Sequence, residues 1–246
     1  MSSNDISPLE AQVNRPQRTR LQNALREILK APITAKFGML VILTYGFVAI
    51  FAPFLTPYSE TEIVGPEFDV WGDEFILGTD GLGRDMLTRL LFGARNTVGI
   101  AFITTVLAFV IGGIMGLLAA IYTGWFDQVA SRVVDVLMAI PQLIFALMLL
   151  TIFGTSIPIL IIVIATLDAT RIFRVTRAVS LNVVVLDYFE AARLRGERIF
   201  WLCIREILPN ITAPLLAEFG LRFCFVFLMI AALSFLGLGI QPPTAD

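Results

Sequence analysis

The sequence predicts an all-α membrane protein, a polytopic helical bundle with five visible membrane spans. Of its 246 residues, 57% are hydrophobic and 15% are charged, whereas soluble domains are about half apolar and a quarter charged. The apolar residues fall into long blocks that are almost free of charge. A bilayer core about 30 Å thick requires roughly 20 such residues as a helix. Because lipid offers the backbone no hydrogen bonds, each block is expected to be helical.

Five apolar blocks are the predicted spans. The fourth block is short unless Asp168 and its neighbours are included, and the fifth block contains Glu218 and Arg222. Asp168 and Arg171 are three residues apart, and Glu218 and Arg222 are four apart, so each spacing predicts an ion pair within or beside a span. Such charges are also candidates for function. The blocks cover residues 37–55, 97–122, 136–153, 157–167 and 213–238.

The distribution of lysine and arginine predicts the topology, because cytoplasmic loops are enriched in these residues. Residues 1–36 contain six bases and three acids, residues 56–96 contain eight acids and three arginines, and residues 169–212 contain seven arginines and four acids. The N-terminus and the 169–212 segment are therefore expected inside the cell, and the 56–96 segment outside. Residues 1–36 are expected to be a solvated tail, with a short surface helix at 21–29 as the alternative.

Several function classes lose support from composition. The sequence contains no histidine, which removes imidazole metal ligands and histidine acid–base chemistry. Cys203 and Cys224 are far apart and are expected to be inert, so no metal site and no cofactor are predicted. The phosphate-loop pattern Gly-x4-Gly-Lys-Ser/Thr is absent, so ATP should not bind by that route. No nucleic-acid partner is predicted.

The first motif, residues 77–98, lies in the external segment. Its three glycines predict a sharp turn, after which an amphipathic helix is expected to rest on the membrane and lead into the second span. Asp85 and Arg89 are four apart and are predicted to pair. In the next loop, Arg132 and Asp135 are predicted to form a local ion pair. The candidate site residues of the first motif are Gly78, Asp80, Gly83, Arg84 and Asp85.

The 169–212 segment is the most informative. Its pattern predicts two short helices separated at Gly196, and a further segment that begins at Pro209 because proline cannot continue the preceding helix. Apolar side chains on these helices suggest a partner surface, and the alternative is a helix packed on the core of its own subunit. These side chains are Tyr188, Phe189, Ile199, Phe200, Trp201 and Leu202.

The same segment resembles the EAA loop of bacterial ABC importer permeases. Glu190-Ala-Ala is followed by three residues, Gly196, nine residues and the closing Glu206-Ile-Leu-Pro. The family often has isoleucine where this chain has Glu206. The runs 77–98 and 233–244 resemble the second permease of dipeptide, oligopeptide and nickel importers, and the similarity covers the chain after residue 36.

The resemblance implies a pathway formed by two homologous permeases, driven by two cytoplasmic ATP-binding subunits and supplied by a periplasmic or extracellular substrate-binding protein. It places the chain in the inner membrane, surrounded by lipid. It also implies a sixth span, missing from this sequence, so residues 97–246 are expected to be a truncated permease core. The implied ATPase-coupling residues are Glu190, Ala191, Ala192, Gly196, Leu208 and Pro209.

The substrate stays open among peptides, nickel complexes and related small solutes. The alternative is an ion-gradient-driven transporter or channel subunit, for which inverted repeats and broken midplane helices would be typical. We find no convincing repeat. A membrane-embedded enzyme would require a nucleophile with a base, or clustered metal ligands, within the spans. The sequence offers neither, so no enzymatic activity is expected.

Overall fold

The computed structural model of the chain describes residues 31–72, 74–241 and 244–245. Throughout this part of the chain the regular structure is helical, without a β-strand, which confirms the predicted all-α fold. The predicted surface helix at 21–29 lies outside the described residues. The helices are α1 Ile33–Leu55, α2 Met86–Ile121, α3 Trp125–Ala139, α4 Gln142–Phe153, α5 Ile157–Val184, α6 Asp187–Leu194, α7 Ile199–Trp201, a π-helix Leu202–Ile207, and α8 Leu208–Phe235.

Three helical stretches within the described residues are long and apolar enough to cross a membrane: α1, α2 and the run Ile199–Phe235. The pair α3 and α4 adds a fourth if the two are counted as one bent span. The predicted fourth span, residues 157–167, is the first part of α5, a helix of 28 residues that continues through Asp168 and three arginines. Much of the predicted loop 169–212 is therefore helix.

The third predicted span, residues 136–153, is not one straight helix. It is divided between α3 and α4, which meet at an angle of 89°. Ile140 adopts an extended conformation with ψ of 131° just before Pro141. Proline disfavours the α conformation in the preceding residue and cannot donate a backbone hydrogen bond, so the helix must end there.

The predicted helix boundary at Pro209 is wrong, because helical structure runs without interruption from Ile199 to Phe235. In the π-helix before it, Leu208 N–H donates to the carbonyl of Cys203, five residues earlier. Pro209 then lies at the second position of α8, directly after this wider π-helical turn, so the helix continues although proline has no N–H to donate.

The main helix pair in the structure is α2 with α5. Gly112 lies against α5 so closely that a Cβ atom there would come within 2.4 Å of the Ala169 carbonyl oxygen. Small residues at such an interface let two backbones approach, which is how helices pack tightly in lipid. The principal apolar core joins α2, α4, α5 and α8 and includes Leu150, Leu160, Ile164, Ile230 and Leu233.

Candidate functional site

The EAA loop comprises α6, the turn that follows it, α7 and the π-helix. Gly196 has φ of +78°, and no atom outside its immediate neighbours lies within 4 Å of the position of a Cβ. Its N–H donates to Arg193 O at 3.0 Å, and Glu197 N–H donates to Ala192 O at 3.4 Å. These two bonds define a Schellman motif, in which glycine is preferred because it adopts left-handed angles without strain. The predicted separation of two helices at Gly196 is therefore present.

The loop has one buried face and one exposed face. Phe189 is 1% exposed and Leu202 is 2% exposed, and both belong to an apolar cluster with the ends of α2, α5 and α8. Leu194 is 81% exposed and Phe200 is 76% exposed. Of the side chains predicted to form a partner surface, Phe189 and Leu202 instead follow the stated alternative and pack on the core of their own subunit. The core interpretation holds for the buried face, and the partner interpretation stays a prediction for the exposed face.

The six predicted coupling residues divide between these faces. Glu190, Ala191 and Gly196 are exposed at the end of the loop, and Pro209 is exposed farther along the chain. Ala192 is fully buried in the same cluster as Phe189. Its small side chain lets α6 lie close to its own subunit, and it is not available to a partner. Leu208 is half-buried.

The external motif is organised around Asp80. Its carboxylate accepts hydrogen bonds from the N–H of Leu82 at 2.8 Å and of Arg84 at 3.0 Å, and from Arg84 Nε at 2.8 Å. Arg89 Nε lies 3.5 Å from the same carboxylate. Burial would raise the pKa of Asp80, but the hydrogen bonds from Arg84 and Leu82 outweigh it, and the pKa lies below its ordinary value.

The predicted pair of Asp85 and Arg89 does not form, because Asp85 caps the start of α2. Its carboxylate accepts from Thr88 N–H at 2.8 Å and from the Thr88 hydroxyl at 2.6 Å. Aspartate is a preferred capping residue because it satisfies N–H groups that have no partner in the first turn. The expected amphipathic helix and the second span are one continuous helix from this cap onward.

Two glycines allow the external loop to fold on itself. Gly78 and Gly83 have φ of +74° and +73°. A Cβ atom would lie 2.3 Å from Asp69 O at the first position and 2.2 Å from Gly65 O at the second. Any side chain at either position would displace the neighbouring loop backbone.

The described part of the C-terminal run, residues 233–241, begins with a second Schellman motif. Gly237, with φ of +77°, donates its N–H to Ser234 O at 2.9 Å. Beyond it, Asn96 Nδ2 donates to Ala245 O at 3.0 Å and to Glu60 Oε2 at 3.1 Å. A residue of the first motif therefore contacts Ala245, which lies just beyond the run 233–244. Sequence reasoning did not identify Glu60, because a single acid in an acidic loop gives no signal.

A buried charge cluster links three helices. Arg222 Nε on α8 lies 2.8 Å from Glu218, the predicted partner. The predicted pair of Asp168 with Arg171 does not form. Asp168, which is 1% exposed, instead lies 3.6 Å from Arg222 Nη1. Gln142 of α4 donates to its other oxygen at 3.3 Å. Neither Arg222 Nε nor Nη1 forms a hydrogen bond with these carboxylates, so the attraction is mainly electrostatic.

Two further ion pairs join α3 to α5. Arg177 binds both carboxylate oxygens of Asp127, with Nη2 at 2.6 Å from Oδ2, and Arg174 pairs with Asp135. The predicted local pair of Arg132 with Asp135 is therefore wrong. Spacing along one helix could not reveal that the stronger partner comes from another helix.

The fold and these motifs define a class of membrane transport protein. Residues 112–246 match the family model described as "Binding-protein-dependent transport system inner membrane component", and the chain belongs to this family. It is a multi-pass permease of the inner membrane, the class that works with an ATPase and a substrate-binding protein.

Named relatives include peptide permeases. The chain is 36% identical over 216 residues to the di/tripeptide transport system permease protein DppC of Pseudomonas aeruginosa. The matched region covers 85% of this chain and 71% of that protein. It is 32% identical over 219 residues to the dipeptide transport system permease protein DppC of Haemophilus influenzae (86% and 74%). It is 31% identical over 236 residues to the glutathione transport system permease protein GsiD of Pectobacterium atrosepticum (93% and 76%).

Proposed function

We propose that this chain forms half of the translocation pathway of an ABC importer for peptides and couples to a separate ATPase through its EAA loop. The main support is the loop itself, an exposed surface carrying Glu190, Leu194 and Phe200 around a fixed turn. The names of the relatives, which include dipeptide, di/tripeptide and glutathione permeases, support a peptide substrate.

The loop is suited to transmit movement. Phe189 and Ala192 attach α6 to the ends of α2, α5 and α8, while the opposite face is free. A force applied to the exposed face would therefore reach the spans through packed side chains and would not be absorbed by bending of the loop. Closure of the ATPases would move this unit and change the access of the pathway.

The proposed assembly contains a second homologous permease, two cytoplasmic ATP-binding subunits and a substrate-binding protein outside. We expect the chain alone to hydrolyse no ATP, because its sequence lacks a phosphate loop. Robust hydrolysis by the isolated chain, with contaminating ATPases excluded, would contradict this assignment.

Cross-linking tests the coupling surface. A cysteine at Leu194 should form a cross-link with the ATPase subunit in membranes, and the yield should change when ATP is added. A cysteine at Trp71, which is 82% exposed in the external segment, is the matched control and should form none. Equal cross-linking from both positions, or none from Leu194, would contradict the proposal.

The proposed topology has the N-terminus in the cytoplasm. In a background with Cys203→Ala and Cys224→Ala, a membrane-impermeant thiol reagent added to intact cells should label Ser59→Cys and not Asn182→Cys. Both positions are exposed on the surface of the chain, and Asn182→Cys should become labelled when the cells are permeabilised. The reverse labelling pattern would overturn the topology.

The substrate class is tested in cells. A strain without this chain should fail to grow when a dipeptide is the only source of a required amino acid, and the restored gene should return growth. Nickel uptake should be unchanged. Loss of nickel uptake with normal peptide growth would favour the nickel alternative.

A further inference from the structure

Two grooves run along α3, one apolar and one polar. The apolar groove has a volume of about 420 Å³ and lies between α2, α3 and α5. The polar groove has a volume of about 620 Å³ and runs along the other side of α3. Both are bordered by Trp125, Val129 and Val133. Since these three residues are four positions apart, they form a single ridge, and the grooves meet along it.

The polar groove carries an uncompensated positive charge. Asp127 and Asp135, the two carboxylates on its wall, are paired with Arg177 and Arg174 of α5. Arg132 also lines this groove, is exposed, and forms no ion pair with the part of the chain that the structure describes. An anion entering the groove would therefore meet Arg132 and carboxylates that are already neutralised.

We propose that the two grooves bind one anionic phospholipid, with an acyl chain in the apolar groove and the headgroup phosphate at Arg132. Hydrocarbon is the occupant that suits an open apolar groove in a membrane protein, and the adjacent cation selects a negative headgroup. Gln128 lies one helical turn before Arg132, is exposed, and offers a second donor. Trp125 is 78% exposed at the start of α3, and tryptophan favours the headgroup level of a bilayer.

The choice of an anionic lipid follows from net charge. A zwitterionic headgroup brings its own ammonium, which offsets the attraction of its phosphate to Arg132. In the topology proposed above this end of α3 is cytoplasmic, where anionic lipids make the membrane surface negative. The binding test itself does not depend on that topology, so the two proposals can fail separately.

Photolabelling of the full chain, in membranes that contain its partner subunits, tests the proposal. Phosphatidylglycerol and phosphatidylcholine probes with the same photoreactive acyl chain are compared at equal mole fraction. The readout is the label on the peptide containing residues 125–137. We expect the phosphatidylglycerol probe to label it roughly fivefold more strongly, since one basic side chain near the surface is worth about 1 kcal/mol.

The variants make the result specific to Arg132. Arg132→Gln should bring the two probes to equal labelling, and Arg132→Lys should keep most of the difference. Arg95→Gln removes another exposed arginine and should change nothing. Equal labelling in the unmodified chain, or a difference that survives Arg132→Gln, would overturn the proposal. Absence of label from both probes would also overturn it, by showing that protein covers the groove.

Discussion

Substitution of Gly196 by valine tests the coupling turn. Gly196 has φ of +78° in a Schellman motif, and the space around its missing Cβ is open. Valine would therefore meet no steric clash, and its cost would come from the backbone alone. That cost is roughly 1–2 kcal/mol, with a further contribution from β-branching. A change of this size shifts the ratio of native to altered turn by about 5- to 30-fold.

The expected result is loss of coupling without loss of protein. The strain is confined to a turn outside the spans, so Gly196→Val should leave the amount of subunit in the membrane near normal. Peptide uptake and substrate-stimulated ATP hydrolysis should fall together. Glu190→Lys should act in the same direction, because it reverses a charge on the same exposed face. Uptake and hydrolysis are measured per subunit, quantified by immunoblot of the membranes.

Gly237→Val is the matched control. Gly237 has φ of +77°, also ends a helix with a Schellman motif, and also has open space at its Cβ position. It lies past the opposite end of α8 from the EAA loop, so its substitution carries the same strain away from the proposed ATPase contact. Transport per subunit should be retained there. Normal uptake in both Gly196→Val and Glu190→Lys, or equal loss in Gly237→Val, would refute the coupling assignment.

Three further predictions concern packing, pH and buried charge. Gly112→Val places a side chain against the Ala169 carbonyl and should lower the free energy of unfolding by about 1–3 kcal/mol. Gly113→Val has open space at its Cβ position and should not. Equal melting temperatures of the two variants would contradict the close helix contact. The folded-state pKa of Asp80 is lowered, so its stabilisation is complete above its unfolded pKa of about 4 and is lost as pH falls through the lower folded value. The protection of external-loop amides against hydrogen exchange, relative to their intrinsic rates, should fall in that pH window. Asp80→Asn should remove this dependence on pH, and an unchanged protection profile in the unmodified chain would contradict the role of Asp80. Arg222→Met leaves the buried Asp168 and the partly buried Glu218 without their cation. It should destabilise the protein by about 3–5 kcal/mol, and thermal unfolding in detergent measures this loss.

The sequence predicted the helices well and their interruptions less well. Pro141 ends a helix, whereas the helix continues through Pro209. Pro141 follows an extended residue and accompanies an 89° bend, whereas Pro209 lies in a first helical turn after a π-helix. Whether a proline breaks a helix depends on the hydrogen-bond register before it. That register is set by packing of the whole loop, which periodicity does not show.

Spacing along one helix predicted one ion pair correctly, and Arg222 in that pair also lies near a second carboxylate, Asp168. Glu218 and Arg222 meet as their spacing suggests. Asp135 instead pairs with Arg174, which is 39 residues away along the chain. Side chains on neighbouring helices approach as closely as those one turn apart, and only the fold decides which approach occurs.

The motif analysis found the EAA loop but not its division into two faces. Glu190 and Leu194 are exposed, while Ala192 and Phe189 are buried. A helix of eight residues is too short for a hydrophobic pattern to distinguish a partner surface from a core surface. The structure separates them because α6 lies on the cluster formed by the ends of three longer helices.

Uptake in proteoliposomes tests the central claim most directly. The chain is reconstituted with its partner permease, ATPases and binding protein, with ATP inside the lumen on the ATPase face. A labelled dipeptide should be transported only when ATP and the binding protein are both present, and Gly196→Val should abolish most of this transport. Uptake that persists without ATP and follows an imposed ion gradient would contradict the account and support the gradient-driven alternative.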